Sequence, residues 1–479
     1  MGSEHRRCGA RDERSAEERS DHGADHRVRR RNPPPRRVIS AGRDADSTGK
    51  RIVLGVSGGI AAYKACELLR RLRSLGHDVT VIPTAAALTF VGTATFEALS
   101  GNPVSGDVFT DVPDVRHVSI GQLADLVIVA PATADLLARA AAGRADDLLT
   151  ASLLVTRAPV LMAPAMHSEM WAHPATVANV RTLRSRGVTV LPPAVGRLTG
   201  ADSGPGRMAE PEHLAQLAQL VLHTTGAHRP TLPFDLEGRR IVVSAGGTRE
   251  ALDPVRFLGN RSSGRQGYAI ALVAAARGAD VTLIAANTSL TDPPAVQVQR
   301  VVSAADLQRA MNDAARHADA VVMTAAVADF RPAEVAEHKI KKIADSGPTV
   351  VELVQNPDVL AGLVAGRGAS RMPVIAGFAA ETGDATTSPI EFGRRKLARK
   401  GCDLLVVNQV GQASGFESDD NAAVILSRGG ADNTEMVTID VPYGPKTALA
   451  AAVCDSIVTA LNAAQATGTG QRSDNLSTR

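Results

Sequence analysis

The sequence predicts an α/β protein built from two doubly wound, Rossmann-like domains in tandem, and three observations carry that expectation. An apolar strand, Arg51–Val56, turns through Ser57-Gly58-Gly59-Ile60 into a helical stretch at 61–75. Gly76 closes that stretch, and a second strand at 79–82 ends at Pro83-Thr84. Strand, helix and strand in that order make a βαβ unit. The pattern restarts at 240–244, followed by Gly246-Gly247, a helix near 267–277, Gly278 and a strand at 281–284. Finally, residues 124–135 align without gaps to 318–329, so the halves echo each other. Similar packing demands on two alanine-rich strands could produce that match alone.

A chain of 479 residues is too long for one core and predicts two or three domains. Apolar content of 44% and charged content of 22% are ordinary for a globular protein. Aromatics reach only 3%, so the cores must be packed with Ala, Val and Leu, which suits helices lying on parallel sheets. The net charge of +3 is uneven. Residues 1–50 hold 13 Lys/Arg and 9 Asp/Glu, against 40 and 41 in the rest, and a near-neutral body gives no footprint for nucleic acid. Cys8, Cys66, Cys402 and Cys454 fall without CxxC spacing or histidine pairing. That excludes a zinc site and a disulfide framework and fits a reducing, cytoplasmic setting. No apolar run approaches the length of a membrane span, and the N-terminus lacks the apolar core of a signal peptide. The expected partners are small molecules, with neither nucleic acid nor membrane.

Residues 1–49 have almost no periodic apolar content and read as a disordered extension. Residues 50–222 form the first predicted domain. The linker at 223–236 contains Pro230 and Pro233, 237–465 form the second domain, and 466–479 read as a polar, disordered tail. In the first domain, the turn at 55–59 opens a helix whose N–H groups and dipole can hold a phosphate. The next strand ends in Pro83-Thr84 with no acid for a ribose hydroxyl, so a mononucleotide such as FMN fits better than NAD. Ala130-Pro131-Ala132-Thr133 is a small-residue turn that a flat ring could approach. His117 is either structural or a base. The segment 164–171 carries the only tryptophan, and 196–208, with four glycines and Arg207, suits a mobile flap over a carboxylate or phosphate.

In the second domain, Gly246-Gly247-Thr248-Arg249-Glu250, Asp253-Pro254-Val255-Arg256 and residues 259–264 compose a plausible anion-binding loop. The apolar run 320–324 leads into Ala325-Ala326-Val327-Ala328-Asp329, which places an aspartate at a strand's carboxyl end, where ligands of open α/β sheets bind. Lys339, Lys341 and Lys342 follow on a loop, as a clamp on a phosphorylated ligand or as solvated surface. Lys396 and Lys400 are four apart and share a helix face.

The residues Gly55–Lys64, Ala130-Pro131-Ala132-Thr133, His117, the 164–171 segment and Gly204-Pro205-Gly206-Arg207-Met208 resemble the flavin-dependent cysteine decarboxylases. With the second half included, residues 50–465 resemble the bifunctional phosphopantothenoylcysteine decarboxylase/phosphopantothenate–cysteine ligase family of coenzyme A synthesis. The resemblance implies a flavodoxin-like decarboxylase fold followed by a doubly wound ligase domain. It implies FMN contacts at Ser57, Gly58, Gly59, Ile60, Thr84, Phe90, Ala130, Thr133 and Ala134, with His117 as the catalytic histidine. FMN would oxidise the cysteine moiety to a thioaldehyde, carbon dioxide would leave, and reduced flavin would regenerate the thiol. The chain departs from the family at two positions, with His167 in place of an asparagine and Gly200 in place of a proton-donating cysteine. His167 is therefore expected to supply or relay the last proton, with Asp202 or water as the alternatives. A rival reading, motivated by the same two positions, keeps the ligase beside a flavin-binding scaffold that does not decarboxylate.

For the ligase the resemblance implies activation of 4′-phosphopantothenate by CTP and attack of L-cysteine on the acyl-cytidylate, which Asn260 stabilises. The implied CTP contacts are Met323, Thr324, Ala325, Asp329, Lys339, Asn356, Pro357, Asp358, Val359, Phe378, Lys396 and Lys400, with Lys339 catalytic. Mg2+ is expected with the triphosphate. Trimers of the decarboxylase and dimers of the ligase together imply a large homo-oligomer.

Overall fold

The computed structural model describes residues 49–105, 116–198, 202–224, 232–341, 350–381, 388–409, 420–429 and 435–474. Most of the predicted extension at 1–49 lies outside the described residues.

The first half runs β1 (Arg51–Val56), α1 (Ala62–Ser74), β2 (Asp78–Pro83), α2 (Thr93–Ser100), α3 (Arg116–Leu123), β3 (Leu126–Ala132), α4 (Ala134–Ala142) and α5 (Leu148–Val155). It continues with β4 (Val160–Pro164), α6 (Ser168–Ala172), α7 (Pro174–Ser185), β5 (Thr189–Val190), β6 (Ala194–Arg197), β7 (Ser203–Arg207) and α8 (Pro211–Thr224). β1 after Arg51 and all of β3 are buried, the mark of parallel strands covered by helices on both faces. The five-stranded sheet has the order β2-β1-β3-β4-β5 and is parallel throughout. That is the flavodoxin-like winding, whose switch point lies between β1 and β3.

The second half runs β8 (Arg240–Gly246), β9 (Arg249–Ala251), β10 (Phe257–Gly259), α9 (Arg265–Ala276), β11 (Asp280–Ala286), β12 (Val296–Val301), α10 (Ala304–Ala315) and β13 (Ala320–Met323). There follow β14 (Phe330–Pro332), β15 (Leu353–Gln355), α11 (Val359–Arg367), β16 (Val374–Glu381), α12 (Pro389–Lys400), β17 (Leu404–Gln409), β18 (Asp420–Gly429), β19 (Glu435–Pro445) and α13 (Lys446–Asp474). The eight-stranded sheet has the order β12-β11-β8-β13-β16-β17-β18-β19. Its first six strands are parallel, in the 3-2-1-4-5-6 Rossmann order, and β18 and β19 add an antiparallel edge.

The gapless echo between the halves has a structural counterpart. Leu126 of β3 lies beside Ile52 of β1, and Ala320 of β13 lies beside Ile241 of β8. Residues 124–135 and 318–329 therefore occupy the strand across the switch point in each sheet, in the same register.

Two expectations need correction, and the predicted linker at 223–236 is described only in part. Residues 225–231 lie outside the described residues, while Leu236 is buried and Asp235 pairs with Arg277 at 2.8 Å. Arg277 is itself only 1% exposed and takes Asp455 of α13 at 2.9 Å as a second counter-ion, since a buried guanidinium must be paired. Within the predicted tail, residues 466–474 continue α13, because an anchored helix extends at one hydrogen bond per residue. Against the expectation that no apolar run approaches the length of a membrane span, Lys446–Ala466 is long and apolar enough to cross one. Its alanine-rich surface serves another purpose here: Leu449, Ala450, Val453, Cys454, Ile457 and Leu461 are buried, and α13 packs on α9 and α8. α8 of the first half thereby shares one continuous core with α9 and α13 of the second.

Candidate active sites

At the first switch point Ser57 is 1% exposed and ties the two strand ends together. Its hydroxyl donates to the Pro131 carbonyl at 2.8 Å and accepts from the Thr133 N–H at 3.0 Å. Thr133 then caps α4 by accepting from Leu136 N–H at 3.3 Å, and Thr84 accepts from Ala87 N–H at 3.2 Å beyond β2. Around these turns opens a cavity of about 950 Å³. Ser57, Gly58, Gly59, Ile60, Thr84, Thr133, Ala134 and His167 all line it, as do Met166, Met170 and Arg207.

Three residues expected at this site do not line the cavity of the single chain. Ala130 is wholly buried inside β3, where only its neighbours beyond the strand end reach the opening. Phe90 is half exposed at the end of a short 3-10 turn after β2. His117 is partly buried on α3, which packs against α5.

The hairpin β6–β7 is the predicted flap, and it is stitched beside His167. Met166 N–H donates to the Gly206 carbonyl at 3.0 Å, and Ser168 Oγ donates to the Pro205 carbonyl at 2.8 Å. A Cβ on Gly206 would fall 2.2 Å from the Met166 carbonyl oxygen, and one on Gly204 would fall 2.5 Å from Ser168 Oγ. Glycine at both positions is what lets the hairpin come this close. His167 directly precedes α6, with its side chain 43% exposed and Nδ1 at 3.8 Å from Glu169. Gly200 lies outside the described residues, while the carbonyl of Asp202 accepts from Leu198 N–H at 2.7 Å.

A charged wall of this cavity belongs to no motif of the sequence. Arg139 lies 2.7 Å from Asp147, 3.0 Å from Asp146 and 3.0 Å from Asp135. Burial alone would depress the Arg139 guanidinium, but its bonds to Asp147 and Asp146 outweigh that and raise it. The available signal was Asp147-Leu148-Leu149-Thr150, which forms a capping box at α5. Arg207 was expected to meet a ligand anion, and here it reaches Glu210 at 3.3 Å, which Lys64 also binds at 2.7 Å. Of the cysteines, Cys402 and Cys454 are buried, and burial pushes their thiols up to about 11 and about 12.

The second switch point lies between β8 and β13, and a buried serine again joins the strands. Ser244 Oγ accepts from the N–H groups of Thr324 and Ala325, both at 3.1 Å, and the Thr324 hydroxyl donates back to the Ser244 carbonyl. Gly246 has φ of 86°, and a Cβ there would meet the Ala286 carbonyl oxygen at 1.9 Å. Asn260 Nδ2 donates to the Val327 carbonyl at 2.9 Å. Asn356 donates from Nδ2 to the Ala328 carbonyl and from its backbone to the Asp329 carbonyl, each at 2.8 Å. Met323 of β13 sits beside Gly377 of β16, next to the partly buried Phe378. Asp358 caps α11 by accepting from Ala361 N–H at 3.0 Å and pairs with Lys400 at the end of α12. Lys396 stands one turn earlier on that helix.

Met323, Thr324, Ala325 and Asp329 thus lie at or beyond the carboxyl end of β13, Asn260 and Asn356 bond the segment that follows it, and Phe378 lies within β16 one residue past the partner of Met323. Pro357 precedes α11 by two residues, and Val359, the first residue of that helix, is buried in the core. Lys339 is exposed on the segment after β14, and Lys342 lies outside the described residues.

The chain as a whole combines a flavodoxin-like parallel sheet with a doubly wound sheet in Rossmann order. Residues 41–223 match the family described as Flavoprotein, and residues 236–461 match the DNA/pantothenate metabolism flavoprotein C-terminal domain. The coenzyme A biosynthesis bifunctional protein CoaBC of Mycobacterium bovis is 60% identical over 416 residues, covering 86% of this chain and 97% of that protein. The crystal structure of the C-terminal domain of a CoaBC protein is 33% identical, with a TM-score of 0.39, over 48% of this chain and 98% of its own. The FMN-dependent cysteine decarboxylase SpaF is 32% identical, with a TM-score of 0.30, over 33% of this chain and 90% of its own. The chain belongs to the CoaBC family of bifunctional coenzyme A biosynthesis proteins.

Proposed function

We propose that this chain joins L-cysteine to 4′-phosphopantothenate with CTP in its second half, then decarboxylates the product to 4′-phosphopantetheine with FMN in its first half. The observation that carries this reading is the cavity at the β1/β3 switch point, where Ser57, Gly58, Gly59, Thr84, Thr133 and His167 converge.

The residues there fit FMN. A volume of about 950 Å³ takes a mononucleotide, the first turn of α1 offers backbone N–H groups to a phosphate, and small residues line the β3–α4 turn. When bound, FMN supplies the redox chemistry that allows a carboxylate to leave. The chain's residues do the rest. Ser57 fixes the turn, the β6–β7 hairpin excludes water, and His167 offers Nε2 to hold the proton delivered last, since Nδ1 faces Glu169. Ile60, Tyr63 and Met170 are 72%, 62% and 48% exposed at this cavity, an apolar rim suited to a second copy of the chain in a homo-oligomer.

In the second half a free carboxylate is a poor electrophile, and transfer of a cytidylyl group makes it reactive. Lys339 neutralises charge on the phosphates, Asn260 orients the acyl-cytidylate, and Met323–Ala325, Asp329 and Phe378 receive the base. Among the described residues no three His, Cys, Asp or Glu side chains cluster as a metal cage, so Mg2+ comes with the triphosphate. Both reactions suit the cytosol.

The test is a coupled assay on the purified, full-length chain. It should be yellow, and CTP with magnesium, cysteine and 4′-phosphopantothenate should release pyrophosphate and then carbon dioxide. A colourless protein that takes up no flavin overturns the first-half assignment. Equal rates with ATP overturn the choice of nucleotide.

A further inference from the structure

The Asp253 side chain has no exposed surface, yet its carboxylate accepts five hydrogen bonds. Oδ1 takes the N–H groups of Val255 and Arg256, both at 2.8 Å, which by itself suffices to form the turn between β9 and β10. Oδ2 does something the turn does not require. It accepts from Arg256 Nε at 2.9 Å and from the backbone N–H of Ile340 at 3.2 Å. Arg256 Nη2 then donates to the Ile340 carbonyl at 2.7 Å, so the pair clasps both backbone groups of one residue. Ile340 lies between Lys339 and Lys341. The clasp is extended by Ala336 N–H, which donates to the Leu252 carbonyl at 3.1 Å. Residues 333–341 have no helix or strand of their own, so these bonds set where Lys339 stands.

The other end of the same hairpin leads to Asn260. β9 and β10 pair antiparallel from Ala251–Phe257 to Arg249–Gly259, and Asn260 follows directly, bonded to the Val327 carbonyl. One short, rigid element therefore holds Asn260 at one end and the lysine segment at the other. The bond to Arg256 also holds the Asp253 carboxyl well below the usual carboxylate range, so the clasp is charged at any working pH.

We infer that Asp253 is a positioning residue for the ligation step, fixing the Lys339 segment against the hairpin that carries Asn260. This rests on the roles proposed above for Lys339 and Asn260. Reactive groups on two separate loops must meet the same phosphoryl and acyl centres, and a shift of an ångström at either costs rate steeply. An anionic acceptor locked inside a turn holds a backbone N–H more firmly than a neutral one does.

The experiment compares Asp253→Ala, Lys339→Ala and the double variant in the full-length, flavin-loaded protein. Asp253→Ala should lower kcat for CTP-dependent pyrophosphate release roughly 10- to 100-fold. KM for CTP should stay within about threefold, because the contacts to the base remain. Flavin content and decarboxylation of added 4′-phosphopantothenoylcysteine should not change. The double variant should be no more than about twofold slower than Lys339→Ala, since both act through one group. Should Asp253→Ala fail to fold, Asp253→Asn keeps the size and the Oδ1 acceptor and should show a smaller kcat loss at unchanged KM. A wild-type rate for the Asp253 variants beside a slow Lys339→Ala overturns this inference alone. A wild-type rate for Lys339→Ala overturns the assignment of Lys339 and this inference with it. Losses that multiply in the double variant overturn the inference too, because Asp253 would then act independently of Lys339.

Discussion

Ser244→Ala isolates the contact that joins β8 to the loop after β13. The serine is 0% exposed, and its hydroxyl oxygen is the acceptor for the N–H groups of Thr324 and Ala325, both at 3.1 Å. Alanine fits the space but leaves both donors without that acceptor. A buried donor stripped of its partner costs about 1–3 kcal/mol. Thr324 and Ala325 are only partly buried, so water reaches them and the low end applies to each, about 2 kcal/mol in all. At about 1.4 kcal/mol per decade, that predicts roughly 30-fold faster amide exchange at these two residues. Hydrogen exchange followed by mass spectrometry over the peptide containing β13 reads this directly, whereas a global melt would mix the two halves. KM for CTP should rise while flavin stays bound. Ser57→Ala is the matched control, because it removes the acceptor of Thr133 N–H in the other half and should speed exchange there alone. Unchanged exchange at 324–325 in Ser244→Ala would refute the argument.

Gly206→Ala should push the β6–β7 hairpin away from Met166, since the new Cβ would sit 2.2 Å from a backbone oxygen that has no easy way to move. Decarboxylation should drop at least roughly tenfold with ligation untouched, and equal decarboxylation would mean the flap position is immaterial. The second expectation concerns pH. His77 and His213 are both held below the ordinary histidine value, in each case chiefly by burial. A depressed folded value means the unfolded chain binds the proton first. The stability each contributes is complete above the ordinary value of 6.5 and is lost as pH falls through the lower folded one. Melting temperature should therefore fall between pH 7.5 and 5.5 by less in a His77→Gln/His213→Gln variant than in the parent chain, and equal slopes would exclude these histidines.

The pattern along the chain marks the opening strands and helices of each of the two sheets. The apolar runs at 51–56, 240–244 and 320–324, each bounded by glycine or small-residue turns, have little choice, because a parallel strand must be buried on both faces. It also placed Ser57-Gly58-Gly59 and the residues around Ala325 at strand ends, while the shared register behind the echo of 124–135 in 318–329 came from the strand pairing. Tertiary structure decided which side chains meet. Asp253 reads as one more polar residue of an anion-binding loop, and only the approach of the chain 87 residues later turns its second oxygen into a clasp on Ile340. Arg139 and Asp147 carry no motif of their own and meet only where the β3–α4 and α5 turns fold onto one cavity. His117 could be named from motif resemblance, yet a single chain leaves it outside that cavity. Local pattern encodes the conformation of neighbours in sequence, since backbone sterics and burial act residue by residue. Convergence of distant side chains depends on strand order and loop path, which no short stretch of sequence contains.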